Sequence, residues 1–180
     1  MPRRLRLALS LVLGLSLLQV ATPARATALV TVLRYDTSRA AEFVSAVDQA
    51  AQIWNASVAN VRLVKGTPAH FTVIADNGWP RALPTSLGRG TVWMGRQATS
   101  QGYHPVRIAA HEIGHILGLP DRRTGLCTDL MSGSSAPTSC TNAYPSAAER
   151  AAVDRAFAGS AAPLVEFGRL HEFDRLHAGR

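Results

Sequence analysis

The chain has 180 residues, 47% hydrophobic and 17% charged, with 19 Lys and Arg against 12 Asp and Glu. That length suggests one domain around a single core. The formal charge of +7 does not point to nucleic acid, because part of it sits in a leader and no basic cluster is interleaved with aromatics.

Arg3, Arg4 and Arg6 head the chain, Leu7 to Val20 is apolar, and Ala24-Arg25-Ala26 offers small residues for cleavage. The apolar run is too short to span a bilayer comfortably, so residues 1–26 read as a secretory signal peptide. Without Arg3, Arg4, Arg6 and Arg25 the count is 15 basic against 12 acidic, a net +3. No second run is long enough to cross a membrane. The expected product is a soluble, extracellular protein with no nucleic-acid or membrane partner, and a monomer.

Thr27 to Tyr35 is rich in β-branched and aromatic residues and predicts a strand. Ser38 reads as the N-cap of a helix whose buried face is Phe43, Val44, Val47, Ala50, Ala51 and Trp54. Val61 to Val64, Phe71 to Ala75 and Thr91 to Met94 predict three further strands, and the Gly- and Pro-rich stretch 76–90 a loop. Pro105 to Leu117 predicts the second main helix. Residues 121–145 lack periodicity and hold both cysteines, Cys127 and Cys140. In an exported chain an even count favours a disulfide over two free thiols, and a loop of that length is worth ~3 kcal/mol. Ser146 and Glu149 form a capping box opening a third helix that ends near Phe157. In the tail 160–180, Leu164, Phe167, Leu170, Phe173 and Leu176 are spaced by threes. That predicts either a docked amphipathic helix or a loose tail.

The chemistry concentrates in HEIGHILGLPD, residues 111–121. Residues i and i+4 share a helix face, so His111 and His115 can direct two imidazoles at one ion, as zinc accepts. Glu112 is rotated by about 100° and cannot be an equivalent ligand. It can stand beside the metal as the general base toward a bound water. On a continuing helix Asp121 would lie ~9 Å beyond His115 and on another side. Gly118 can end the helix in a left-handed conformation and Pro120 forbids resuming it, which returns Asp121 toward the metal as third ligand. The sequence Asp129-Leu130-Met131-Ser132-Gly133 follows. By spacing alone Met131 is either core filler or the methionine of a Met-turn below a zinc site.

HEIGHILGLPD, DLMSG, SCTNAYPSAAER and QIWNASVANVRL together resemble the snapalysin family, small secreted neutral metalloproteases of streptomycetes within the metzincin clan. The resemblance covers roughly residues 29–158. It implies an α+β, metzincin-like zinc protease: a small twisted mixed sheet of four to five strands, three helices, an active-site helix and a Met-turn below the zinc. It implies peptide-bond hydrolysis in protein or peptide substrates, with one catalytic zinc on His111, His115 and Asp121, Glu112 as base, Met131 in the Met-turn and a Cys127–Cys140 bridge. It also implies Tyr or Phe just after the scissile bond, and leaves room for a proteinaceous inhibitor as partner. By analogy with metzincins the strand Thr91 to Met94 would be the substrate-binding edge, the alternative being an ordinary interior strand.

Several positions depart from the family. Its calcium-binding Asp and Thr are His104 and Val106 here, poor ligands for an ion that wants oxygens, so no calcium site is expected. DRRTG replaces DHYSG, which puts Arg123 where a tyrosine stands near the site. Arg123 reads as a solvated surface residue or a second stabiliser of the oxyanion. No pro-segment separates the leader from the first strand. The expected organisation is a leader, a catalytic domain at 27–159 and a C-terminal extension of unknown role at 160–180. His70, His171 and His177 read as surface residues. The rival reading is a secreted zinc-binding protein without catalysis. Glu112 discriminates, since a purely structural site has no use for it.

Overall fold

The computed structural model describes residues 29–173. The leader expected at 1–26, the start of the first expected strand, Leu176 and His177 lie outside them. The elements are β1 (Thr31–Arg39), α1 (Val44–Ser57), β2 (Val61–Lys65), β3 (Phe71–Asp76), β4 (Arg81–Ser86), β5 (Arg89–Gly95), α2 (Arg96–Ser100), α3 (Pro105–Ile116), α4 (Ala147–Phe157) and β6 (His171–Glu172), with single-turn helices at Ala41–Phe43 and Leu130–Ser135. The fold is α+β. Its sheet has six strands in the order β2-β1-β3-β5-β4-β6, where four to five were expected, and α2 is a short helix beyond the expected three.

Strands β2, β1, β3 and β5 run parallel. Strand β4 returns antiparallel to β5, and β6 adds antiparallel to β4. Strand β1 alternates as a one-faced strand must, with Leu33, Tyr35 and Thr37 buried between exposed neighbours. Ser38 is not a helix cap. It lies within β1, and its amide and hydroxyl both donate to the Asp36 carboxylate.

Helix α1 buries Ala46, Val47, Ala50, Ala51 and Trp54, the face its spacing predicts. The Trp54 indole donates to the Ala110 carbonyl at 2.9 Å, which couples α1 to α3 inside the core. Gly114 lets the elements close in: a Cβ there would stand 2.7 Å from the Met131 sulfur and 3.4 Å from the Trp54 ring.

Strand β4 lies in the stretch expected to be a loop. Pro84 concealed it, since proline has no amide to give a ladder and is confined to edges. Strand β4 lies between β5 and the two-residue β6, while β5, which contains Thr91 to Met94, lies between β3 and β4. The expected edge strand is therefore interior, and β4 is covered on its outer side only by the two-residue β6. Among the described residues no helix is long and apolar enough to cross a membrane.

Candidate active site

Helix α3 brings His111, Glu112 and His115 into the interior, all fully buried. It ends in a Schellman arrangement: Gly118 sits at φ +97°, its amide bonds the His115 carbonyl at 3.0 Å, and the Leu119 amide bonds that of Gly114 at 2.9 Å. This turn reverses the chain. It also places the Leu119 carbonyl 2.8 Å from His115 Nδ1 and delivers Asp121, whose Oδ1 is 3.3 Å from His111 Nε2 and 3.7 Å from His115 Nε2. One ligand atom from each of His111, His115 and Asp121 lies within 4.8 Å of the others.

The protonation pattern follows from the carbonyls. His111 Nδ1 faces the Leu130 carbonyl at 3.0 Å and His115 Nδ1 that of Leu119. A carbonyl can only accept, so both Nδ1 atoms carry hydrogen, and in the neutral imidazole Nε2 then carries the lone pair. Those lone pairs face each other across 3.2 Å, with a carboxylate oxygen beside them. Burial first, then the neighbouring His111, holds His115 well below the usual imidazole range, so it stays neutral. Three acceptors converging without a donor repel one another unless a cation lies among them, and two imidazoles with a carboxylate are a donor set for zinc. Each ring's bond to a backbone carbonyl is the support a ligating histidine normally has.

Glu112 stands next to this group with neither carboxylate oxygen hydrogen-bonded, and the Asp121 oxygens are likewise without hydrogen bonds. Burial, then the Asp121 charge, raises the Glu112 carboxyl well above its ordinary value. A buried carboxylate with no donor, as at Glu112, is costly, and a cation would relieve it.

The floor is built from the loop that holds the disulfide. Cys127 and Cys140 are bridged. Met131 is fully buried against α3 at Gly114. Glu149 fixes this turn from α4: its carboxylate accepts from the amides of Met131 at 2.8 Å, Leu130 at 3.2 Å and Ser146 at 2.6 Å. The capping box is thus present, and its glutamate has a second task that sequence reasoning did not assign. Arg107, also missed, is buried on α3 and ties the disulfide loop to that helix through the carbonyls of Cys127 at 3.1 Å, Asp129 at 2.8 Å and Asn142.

Arg123 is half-buried and partnered rather than freely solvated, and His171, expected on the surface, is buried. Arg123 pairs with Asp121 at 3.4 Å and donates to the carbonyls of Glu172 and Phe173. His171 is buried and stacks on His115, with centroids 4.6 Å apart. Phe173 is fully buried, edge-on to His111 at 5.2 Å and to Tyr103 at 5.3 Å. The tail is neither a helix nor loose here. His70 is half-buried, and its Nδ1 accepts from the Arg34 amide.

The sequence model of the Streptomyces extracellular neutral proteinase (M7) family matches residues 29–160. The chain belongs to this family. An extracellular small neutral protease of Streptomyces caespitosus is 44% identical over 126 residues, 69% of this chain and 95% of that one. The protein of the same name from Streptomyces sp. (strain C5) is 40% identical over 145 residues, 79% of this chain. The chain spans only 62% of that relative's length. Among solved structures, a hatching-enzyme zinc protease of medaka (Oryzias latipes) matches in part, with a TM-score of 0.41 and 22% identity, over 53% of this chain and 47% of that one. Within the M7 family match lie every site residue named above except His171, Glu172 and Phe173.

Proposed function

We propose that the chain is a secreted zinc-dependent endopeptidase. The observation that carries this reading is the pair of Nε2 lone pairs of His111 and His115 facing each other at 3.2 Å, with Asp121 beside them and Glu112 next in line. The relatives' shared name, extracellular small neutral protease, supports both the activity and the export, as does the leader-like sequence of residues 1–26.

His111, His115 and Asp121 hold one zinc ion, and residues 27–159 form the catalytic domain. Bound there, zinc supplies a Lewis acid that lowers the pKa of a water and polarises a carbonyl. Glu112 accepts the proton of the attacking water and returns it to the leaving amine. The Leu130 and Leu119 carbonyls fix both imidazoles in the tautomer that leaves Nε2 free. Met131 and the Cys127–Cys140 loop form the floor beneath them. An extended peptide would add antiparallel to the edge of β4, with its backbone read by strand pairing, and with Tyr or Phe preferred just after the scissile bond. The protein acts as a monomer on protein or peptide substrates, with a proteinaceous inhibitor as a further partner.

The test is casein hydrolysis by the zinc-loaded chain beside a Glu112→Ala variant shown to hold one zinc. Hydrolysis by the first and none by the second is expected. Equal hydrolysis by both would remove Glu112 from the mechanism. A second reading, a zinc-binding protein without catalysis, is favoured by the covering of both histidine rings by His171 and Phe173. Zinc bound with no hydrolysis by either chain, and none when Phe173→Ala uncovers His111 in a chain that keeps Glu112, would support it.

A further inference from the structure

We infer that the C-terminal segment from Leu164 to Phe173 is an autoinhibitory strap, seated in the groove that an extended peptide would otherwise occupy. This rests on the reading of β4 as the peptide-binding edge.

The strap crosses the whole site. It starts behind the active-site helix, where the amides of Leu164 and Val165 both donate to the Gly118 carbonyl at 3.0 Å. It then follows β4: the Gly168 amide donates to the Pro84 carbonyl at 2.8 Å and the Phe173 amide to that of Pro80 at 2.9 Å. Within β6, His171 pairs with Ala82 and Glu172 with Arg81. These are the backbone groups an exposed edge offers to any added strand. Beyond the edge, Phe173 fills the space between Tyr103 and His111, His171 covers His115, and Arg123 binds the last two carbonyls. The Phe173 carbonyl also accepts from the Ser134 amide at 3.1 Å. A substrate cannot reach β4 or the histidines while these contacts stand.

The strap is also built to leave. Its strand is two residues long, and Leu164, Phe167 and Leu170 remain exposed. Only Val165 and Phe173 among its apolar side chains are buried, and few such anchors with a short ladder are marks of a segment that opens locally. The stretch from Leu164 onward lies beyond residue 160, where the family match ends, so it is not among the parts this chain shares with that sequence model.

The test uses the full chain carrying Glu112→Ala, so that turnover plays no part, and a fluorescein-labelled peptide copying residues 164–180 as the probe. Adding Phe173→Ala should tighten binding of the probe at least tenfold, because the strap no longer competes. Equal affinity with and without Phe173→Ala, or no binding to either chain, would overturn the proposal. A second measurement does not depend on that variant folding. In the Glu112→Ala chain with an intact tail, saturating probe should speed hydrogen exchange of the chain's own amides at His171–Phe173 at least tenfold and leave α1 unchanged. Unchanged exchange at His171–Phe173 would contradict the strap. Failure of the protease reading would show instead as no casein hydrolysis by a zinc-loaded Phe173→Ala chain that keeps Glu112, an assay that neither measurement uses.

Discussion

The Nε2 atoms of His111 and His115 face each other at 3.2 Å while the opposite nitrogen of each ring donates to a backbone carbonyl. The carbonyls thus place a hydrogen on Nδ1 of both rings and turn both Nε2 atoms to one point. Asp121 completes the set only because the helix stops where it does.

That stop should be sensitive to a single methyl group. Gly118 lies at φ +97° and a Cβ there would come within 3.1 Å of Pro163 and 3.2 Å of Leu87. Gly118→Ala should cost about 1–2 kcal/mol through the left-handed backbone alone. It should also weaken zinc binding, since Asp121 hangs from this turn. Urea unfolding with zinc titration checks both. Unaltered stability would mean the turn relaxes without cost.

Glu149 should prove as important to stability as a core residue. Its buried carboxylate satisfies three amides, of which those of Leu130 and Met131 are buried and that of Ser146 half-buried. Glu149→Ala leaves them unpaired, at roughly 1–3 kcal/mol for each such group, so a loss of at least about 3 kcal/mol is expected by urea unfolding. A loss under about 1 kcal/mol would show that the Met131 turn is held by other means.

Glu112 should destabilise the metal-free protein in a pH-dependent way. Its carboxyl is raised well above 4.5 in the fold. Above that pH the unfolded chain releases a proton that the folded chain keeps, so stability falls as pH rises, by up to about 1.4 kcal/mol per pH unit. His115 acts in the opposite sense: its value is lowered below 6.5 in the fold, so the unfolded chain takes up a proton as pH falls past that point, and stability drops toward acid. Glu112→Gln removes only the first effect. Its advantage over the metal-free wild type should be least at pH 4 and grow toward pH 7. A gap that does not change with pH would contradict the burial argument.

Much of this site was legible in the sequence because its parts are local. The i, i+4 histidines, the glycine and proline before Asp121 and the Ser146–Glu149 capping box all declare themselves within a few residues, and each stands where the spacing put it. The parts that were not legible depend on distant partners. Strand β4 holds a proline and few β-formers, and becomes a strand only by pairing with β5. The places of His171, Phe173 and Arg123 were not legible because their partners are far along the chain: His115 for His171, His111 and Tyr103 for Phe173, and the Glu172 and Phe173 carbonyls for Arg123. Arg107 carries no local sign that its targets are three carbonyls of the disulfide loop. Ser38 failed as a cap because an Asp36 two residues earlier captured both its amide and its hydroxyl.

The central claim is that His111, His115 and Asp121 hold one zinc ion between them. Zinc titration of the metal-free chain, beside His111→Ala, His115→Ala and Asp121→Ala variants, tests it most directly. The account predicts one zinc per wild-type chain and an affinity at least a hundredfold weaker in each variant. Wild-type affinity in any of the three, with the fold intact, would contradict it.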